Sequence, residues 1–144
     1  SSQVGSITKF KNFSLLCPNE REARLSLMDK ESGLETLSQN LIAKTNTKRL
    51  IMKLGNDGFI SYDRDNKDRI ISQSFPSLSV NPLDVAGAGD SLIAVMSIGL
   101  SSGQQMMHTS ALACCMAALS VEQMGNTPVS ASKLKDSIKS QFEL

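Results

Sequence analysis

Between Asp84 and Asp90 the chain reads Asp-Val-Ala-Gly-Ala-Gly-Asp and runs without a break into Ser91-Leu92-Ile93-Ala94. A glycine-rich turn that feeds an apolar helix leaves few choices for the local backbone. The first N–H groups of a helix lack intrahelical partners and carry the positive end of the helix dipole, and Gly and Ala let an anion come close to them. Gly87, Ala88 and Gly89 therefore suit a phosphoryl group. An aspartate at the same helix start would repel that group unless it had a proton to take from an attacking hydroxyl, and this fits Asp90 as a catalytic base. Taken alone, the string reads as a flexible loop with Asp90 as a helix cap.

The rest of the chain supplies an α/β frame around this turn. Phe13 to Cys17 is a short apolar run stopped by Pro18 and reads as a buried strand. From Asn19 to about Lys44 apolar residues recur at helical spacing with a break near Ser32-Gly33, which gives two helices or one broken helix. Lys48 to Leu54 reads as a central strand, Gly55-Asn56-Asp57-Gly58 as a turn, and Phe59 to Asp63 and Arg69 to Phe75 as further strands of an antiparallel excursion. After the glycine-rich turn, one helix is expected to about Leu100, a second through the Ala/Met/Cys-rich stretch to Met124, and a surface helix from Ser130 to Phe142 with Ser130 as N-cap. The strand–helix–strand order points to a layered α/β domain with a largely parallel sheet.

Composition narrows the partners. Fifteen basic and fourteen acidic residues leave a formal charge of +1, without the basic footprint that nucleic acid or an anionic membrane demands. No apolar stretch approaches the roughly 20 residues that cross a bilayer, and the start lacks a secretory layout, so a cytoplasmic protein is expected. Cys17, Cys114 and Cys115 show neither metal-ligand nor redox spacing and read as reduced, buried thiols. His108 has no ligand partner at a suggestive spacing and reads as a surface or capping residue.

With Asp84, Gly87-Ala88-Gly89-Asp90 and the small-residue helix that follows, the chain resembles the C-terminal signature of the PfkB, ribokinase-like, carbohydrate kinases. The likeness runs from about Phe10 to Ile138 and treats residues 1–144 as the C-terminal portion of such a kinase domain. It implies a three-layer α/β/α fold of which only the C-terminal half is represented, without the N-terminal substrate-binding part and lid. Pro18-Asn19-Glu20-Arg21-Glu22 is similar to the family's Asn-x-x-Glu motif, so that Asn19 and Glu22 would organise Mg²⁺ through water, with Asn19 also facing the nucleotide phosphates. Acidic residues at a helix N-terminus explain the same segment without a metal. Lys53-Leu54-Gly55-Asn56-Asp57-Gly58 is similar to the family's Thr-Leu-Gly-x-x-Gly turn, which puts Lys53, Gly55 and Gly58 beside the nucleotide together with Gly89. A hairpin turn accounts for those glycines equally well.

Cys114 stands where the family commonly has an Asn close to the nucleotide, and core filling is the alternative reading. Asp84 matches the residue near which some members hold a monovalent cation, K⁺. Gly87 to Ala94 and Gly125 to Ser130 resemble the heptose-phosphate kinase branch, the kinase domain of ADP-heptose synthase. The resemblance implies ATP-dependent phosphorylation of a sugar or sugar-phosphate hydroxyl, with oligomers formed through the lid that this chain does not contain. Two other readings stay open: a non-catalytic nucleotide or phosphate-binding module, and a vitamin-precursor kinase sharing the phosphate loop. Without the acceptor pocket and lid, the 144-residue chain alone is expected to have little or no sugar kinase activity.

Overall fold

Leu50, Ile51 and Met52 are fully buried at the middle of strand β1 (Arg49–Lys53), while its two end residues are only half-buried. A three-residue apolar centre between charged ends forms a strand covered on both faces. The computed structural model describes residues 7–78, 87–122 and 128–142. The chain divides into two compact units, Ser1–Ser74 and Phe75–Leu144.

In the first unit β1 pairs antiparallel with β2 (Phe59–Arg64), from Arg49 opposite Asp63 to Lys53 opposite Phe59. The Arg49–Asp63 pair closes the register with an ion pair of 3.2 Å. A turn in which the Asp65 N–H donates to the Arg69 carbonyl leads into β3 (Ile70–Phe75), giving the strand order β1-β2-β3. The antiparallel excursion anticipated for Lys48 to Phe75 is therefore present.

The run from Phe13 to Cys17 differs from the expectation. It lies parallel beside β1, with the Leu16 N–H donating to Arg49 and the Ile51 N–H to Leu16, but it makes only isolated bridges, Leu16 with Leu50 and Asn19 with Lys53. Pro18 has no N–H to donate, so the ladder is interrupted where it would have to continue. Among the described residues, parallel pairing is confined to these bridges.

Two helices follow from the region 19–45, with the break where Ser32-Gly33 signalled it. The first, α1 (Glu20–Leu27), ends at Met28 in the left-handed conformation, and α2 (Leu34–Thr45) ends the same way at Asn46. Between them Asp29 Oδ1 accepts from the N–H groups of Glu31 and Ser32, a side-chain turn that stops the helix. Leu37, Leu41, Ile42, Ala23, Leu50, Met52 and Tyr62 form one core with Ile7. Leu37 and Leu41 recur at i, i+4 and are both fully buried, so α2 lays this stripe on the core.

The second unit is helical: α3 (Ala88–Ser101), α4 (Met106–Val121) and α5 (Ala131–Phe142). The helices α3 and α4 pack along their length, and Gly99 lets them approach. A Cβ added at Gly99 would sit 2.8 Å from Thr109 Oγ1 and 3.2 Å from Thr109 Cβ. At α5 the Ser130 hydroxyl accepts from the Lys133 N–H, as the N-cap reading anticipated. No helix among the described residues is long and apolar enough to cross a membrane.

Candidate active site

In the second unit Gly87 is the N-cap of α3, with φ 85° and ψ −13°. This is the left-handed region, where glycine alone is free of a Cβ penalty. The Gly87 carbonyl accepts from the Ser91 N–H at 2.9 Å, which starts the helical ladder. The N–H groups of Ala88, Gly89 and Asp90 precede that first bond, and in a helix the first-turn donors have no partner within the helix itself. A Ser, Thr or Asp at the cap would have turned an oxygen onto them, and Gly87 has none to offer. A helix start of this kind, with a cap residue that has no side chain and with small residues in its first turn, suits an anion. Asp90 is the third residue of α3 and is exposed. The helix ends at Ser101, one residue past the end anticipated from the sequence.

Behind this turn, Ser91 Oγ lies 2.9 Å from Ser120 Oγ on α4, and Ser120 Oγ is also 2.9 Å from the Met116 carbonyl. Sequence alone gave no sign of the serine pair, because neither residue has a patterned partner. The Gly99–Thr109 approach did leave a trace, a lone glycine inside an apolar helix.

Cys114 is buried in α4, where its thiol donates to the Pro76 carbonyl at 3.1 Å. Burial, with a smaller push from Cys115, raises this thiol to about 11. Its one observed polar contact is thus with backbone, the behaviour of a core thiol. Asp84 lies outside the described residues, as do Gly125, Asn126 and Thr127.

The first unit carries the other candidates. Asn19 is the N-cap of α1: its Oδ1 accepts from the Glu22 N–H at 2.7 Å, while Glu22 Oε2 accepts from the Asn19 N–H at 2.9 Å. This reciprocal pair is a capping box. It fixes the Glu22 carboxylate at the mouth of the helix, half-buried and in one rotamer. Asn19 also bridges Lys53, whose N–H donates to Pro18 at 2.9 Å, so Asn19, Glu22 and the end of β1 are brought together.

Immediately after β1, Gly55 (φ 64°) and Gly58 (φ 87°, ψ −129°) frame a 3₁₀ turn closed by the Leu54 N–H donating to Gly58 at 2.8 Å. The Gly58 angles are open only to glycine, so the hairpin itself requires this residue. Cys17, beside this junction, is pushed up to about 12 by burial, against a smaller downward pull from the Lys53 ammonium. Among the described residues no three His, Cys, Asp or Glu side chains gather as a metal-ligand set.

The family model described as pfkB family carbohydrate kinase matches residues 8–133. The chain belongs to that family. Among curated relatives, the bifunctional protein HldE of Sulfurimonas denitrificans is 29% identical over 133 residues, which cover 90% of this chain and 26% of the relative. The HldE of Campylobacter fetus is 30% identical over 141 residues, 94% of this chain and 30% of the relative. The chain thus spans less than a third of the length of these proteins.

Solved structures agree on the fold. Phosphofructokinase-2 of Escherichia coli, solved in complex with potassium, superposes with a TM-score of 0.78 at 17% identity over 95% of this chain and 43% of its own. Ribokinase of Arabidopsis thaliana, solved with ribose and ATP, gives 0.70 at 26% identity over 88% of this chain and 41% of its own. The pfkB chain therefore has the ribokinase-like α/β fold anticipated for it and represents part of it.

Proposed function

We propose that this chain forms the phosphate-binding and proton-accepting part of an ATP-dependent kinase acting on a sugar or sugar-phosphate hydroxyl. The observation that carries the reading is the start of α3, where Gly87 in the left-handed conformation offers no side-chain cap to the first-turn N–H groups and the exposed Asp90 stands beside them. In the reaction, the acceptor hydroxyl attacks the terminal phosphorus of ATP and the bond to ADP breaks as the new P–O bond forms. Asp90 takes the hydroxyl proton, and the Gly87–Gly89 turn donates N–H bonds to the phosphoryl oxygens. A lost donor of this kind typically costs roughly 10²–10³ in rate.

Mg²⁺, when bound with ATP, neutralises phosphate charge. Asn19 and Glu22 fit an outer role toward it, since each already spends one oxygen on the capping box and no three-ligand set surrounds them among the described residues. Holding the ion's waters requires only a fixed carboxylate and amide, which the cap provides. Lys53, Gly55 and Gly58 belong to the nucleotide side in this reading. The same reading places K⁺ near Asp84. The resemblance of Gly87 to Ala94 and Gly125 to Ser130 to the heptose-phosphate kinases favours a heptose phosphate as acceptor.

The test uses the complete protein with ATP and a panel of hexose and heptose phosphates, following ADP release and ³¹P spectra. Asp90→Asn keeps size and cannot take the proton, so turnover falls by about two to four orders of magnitude with little change in nucleotide affinity. Near-normal turnover in Asp90→Asn would remove the base assignment. Nucleotide binding without transfer to any acceptor in the wild type would favour a binding module instead.

A further inference from the structure

We infer that Ser120 is a positioning residue for the first turn of α3, acting through Ser91; the inference rests on the kinase reading of that turn. A serine hydroxyl has one hydrogen and two acceptor lone pairs. Ser120 Oγ lies 2.9 Å from both the Met116 carbonyl and Ser91 Oγ. Ser120 donates in both contacts, its one hydrogen shared between the Met116 carbonyl and Ser91 Oγ. The helical back-bond to Met116 holds the Ser120 oxygen in one rotamer. Ser91, adjacent to Asp90 and the first residue whose N–H enters the α3 ladder, is thereby tied to α4.

Further along the same helix pair, Met96 Sδ lies 3.8 Å from Ser110 Oγ, and Gly99 lies against Thr109. These contacts set the approach of the two helices at the middle and far end of α3. The hydroxyl pair supplies the polar contact at the near end, one residue from the carboxylate. Its effect belongs in the chemical step, because displacing a reacting group by about 1 Å can cost around 10²-fold.

The experiment uses the complete protein with ATP and the same acceptor panel. Ser120→Ala is expected to lower kcat about tenfold and to leave KM for the acceptor within about twofold, a smaller loss than a full 1 Å misplacement. Ser91→Ala should match it, and the double variant should be no worse than either single change. Ser120→Thr keeps the hydroxyl and the back-bond and should restore kcat. A separate readout does not depend on turnover: in ¹H–¹⁵N spectra Ser120→Ala should shift the Gly89 and Asp90 amides and speed their hydrogen exchange. Unchanged kcat with unchanged amides, or losses at Ser91 and Ser120 that multiply, would overturn the inference. Absence of phosphotransfer in the wild type would sink the kinase reading, and the amide shifts would still decide whether Ser120 holds the turn.

Discussion

Replacing Gly99 by alanine sets two effects against each other. Alanine is the better helix former by about 0.8–1.0 kcal/mol, and if α3 stood alone the change would stabilise it. In the packed pair the new methyl group would lie 2.8 Å from Thr109 Oγ1 and 3.2 Å from Thr109 Cβ. Rotating Thr109 gives no relief, since Cγ2 is also inside contact distance, Cβ does not move with χ1, and Oγ1 is bonded to the Gln105 carbonyl at 2.9 Å. The helices must therefore separate, and overpacking of this kind typically costs about 1–3 kcal/mol. After the gain in propensity the net loss is between about 0 and 2 kcal/mol, which for a unit of this size lowers the melting temperature by up to roughly 16 °C. Thermal and urea unfolding followed by far-UV circular dichroism measures it. The clash also predicts non-additivity: Gly99→Ala with Thr109→Ala should lose about 1 kcal/mol less than the sum of the single changes. A Gly99→Ala protein more stable than the wild type by the full propensity gain, or a strictly additive double variant, would show that the helices do not approach as closely as the structure has them.

Two other outcomes follow from the first unit. Asn19→Ala removes the oxygen that caps α1 and should cost about 0.5–2 kcal/mol in urea unfolding, whereas Asn19→Ser keeps a capping oxygen and should cost much less. Cys17 and Cys114, raised to about 12 and about 11, should resist iodoacetamide at pH 8 in the folded protein and react once it is unfolded. The sign for stability follows from the same shifts. An unfolded thiol ionises near 9.0 while these folded thiols stay neutral, so their stabilisation is intact below pH 9 and declines as the pH rises toward 12. Urea midpoints between pH 8 and 10.5 should fall less steeply in Cys17→Ser than in the wild type.

The elements that could be read from sequence were those specified by local chemistry. Gly87-Ala88-Gly89 announced a helix start because only glycine takes the left-handed cap without strain, and the apolar run behind it set the helix length. The β1–β2 hairpin was readable from its glycines, and α2 from its buried i, i+4 leucines. The run Phe13 to Cys17 reads as a buried strand from its hydrophobicity, yet Phe13 is exposed and Leu15 to Cys17 are only half-buried, and hydrophobicity says nothing of the missing Pro18 donor. What could not be read was the contact of one helix with another. The Ser91–Ser120 pair and the Cys114–Pro76 bond join residues 29 and 38 positions apart, and neither has a local pattern.

Asn19-x-x-Glu22 shows why one pattern carried two meanings. A capping box needs an amide or hydroxyl oxygen at the cap and a carboxylate three residues on, and a water-mediated Mg²⁺ site needs the same groups held still. The structure realises the first arrangement, with bonds of 2.7 and 2.9 Å. That does not compete with the second. A carboxylate oxygen carries two lone pairs, and a Glu side chain already fixed by its cap loses little further rotamer freedom when it orders the waters of a cation. The cap and the metal role therefore separate in the variants. Asn19→Ser preserves the capping oxygen on a shorter side chain, so it should retain most of the stability of α1 while shifting the Mg²⁺ concentration needed for half-maximal turnover of the complete enzyme upward. Asn19→Ala should lose both. If Asn19→Ser matched the wild type in its Mg²⁺ requirement, the pair would be only a helix cap, and the ion would have to be organised by residues elsewhere.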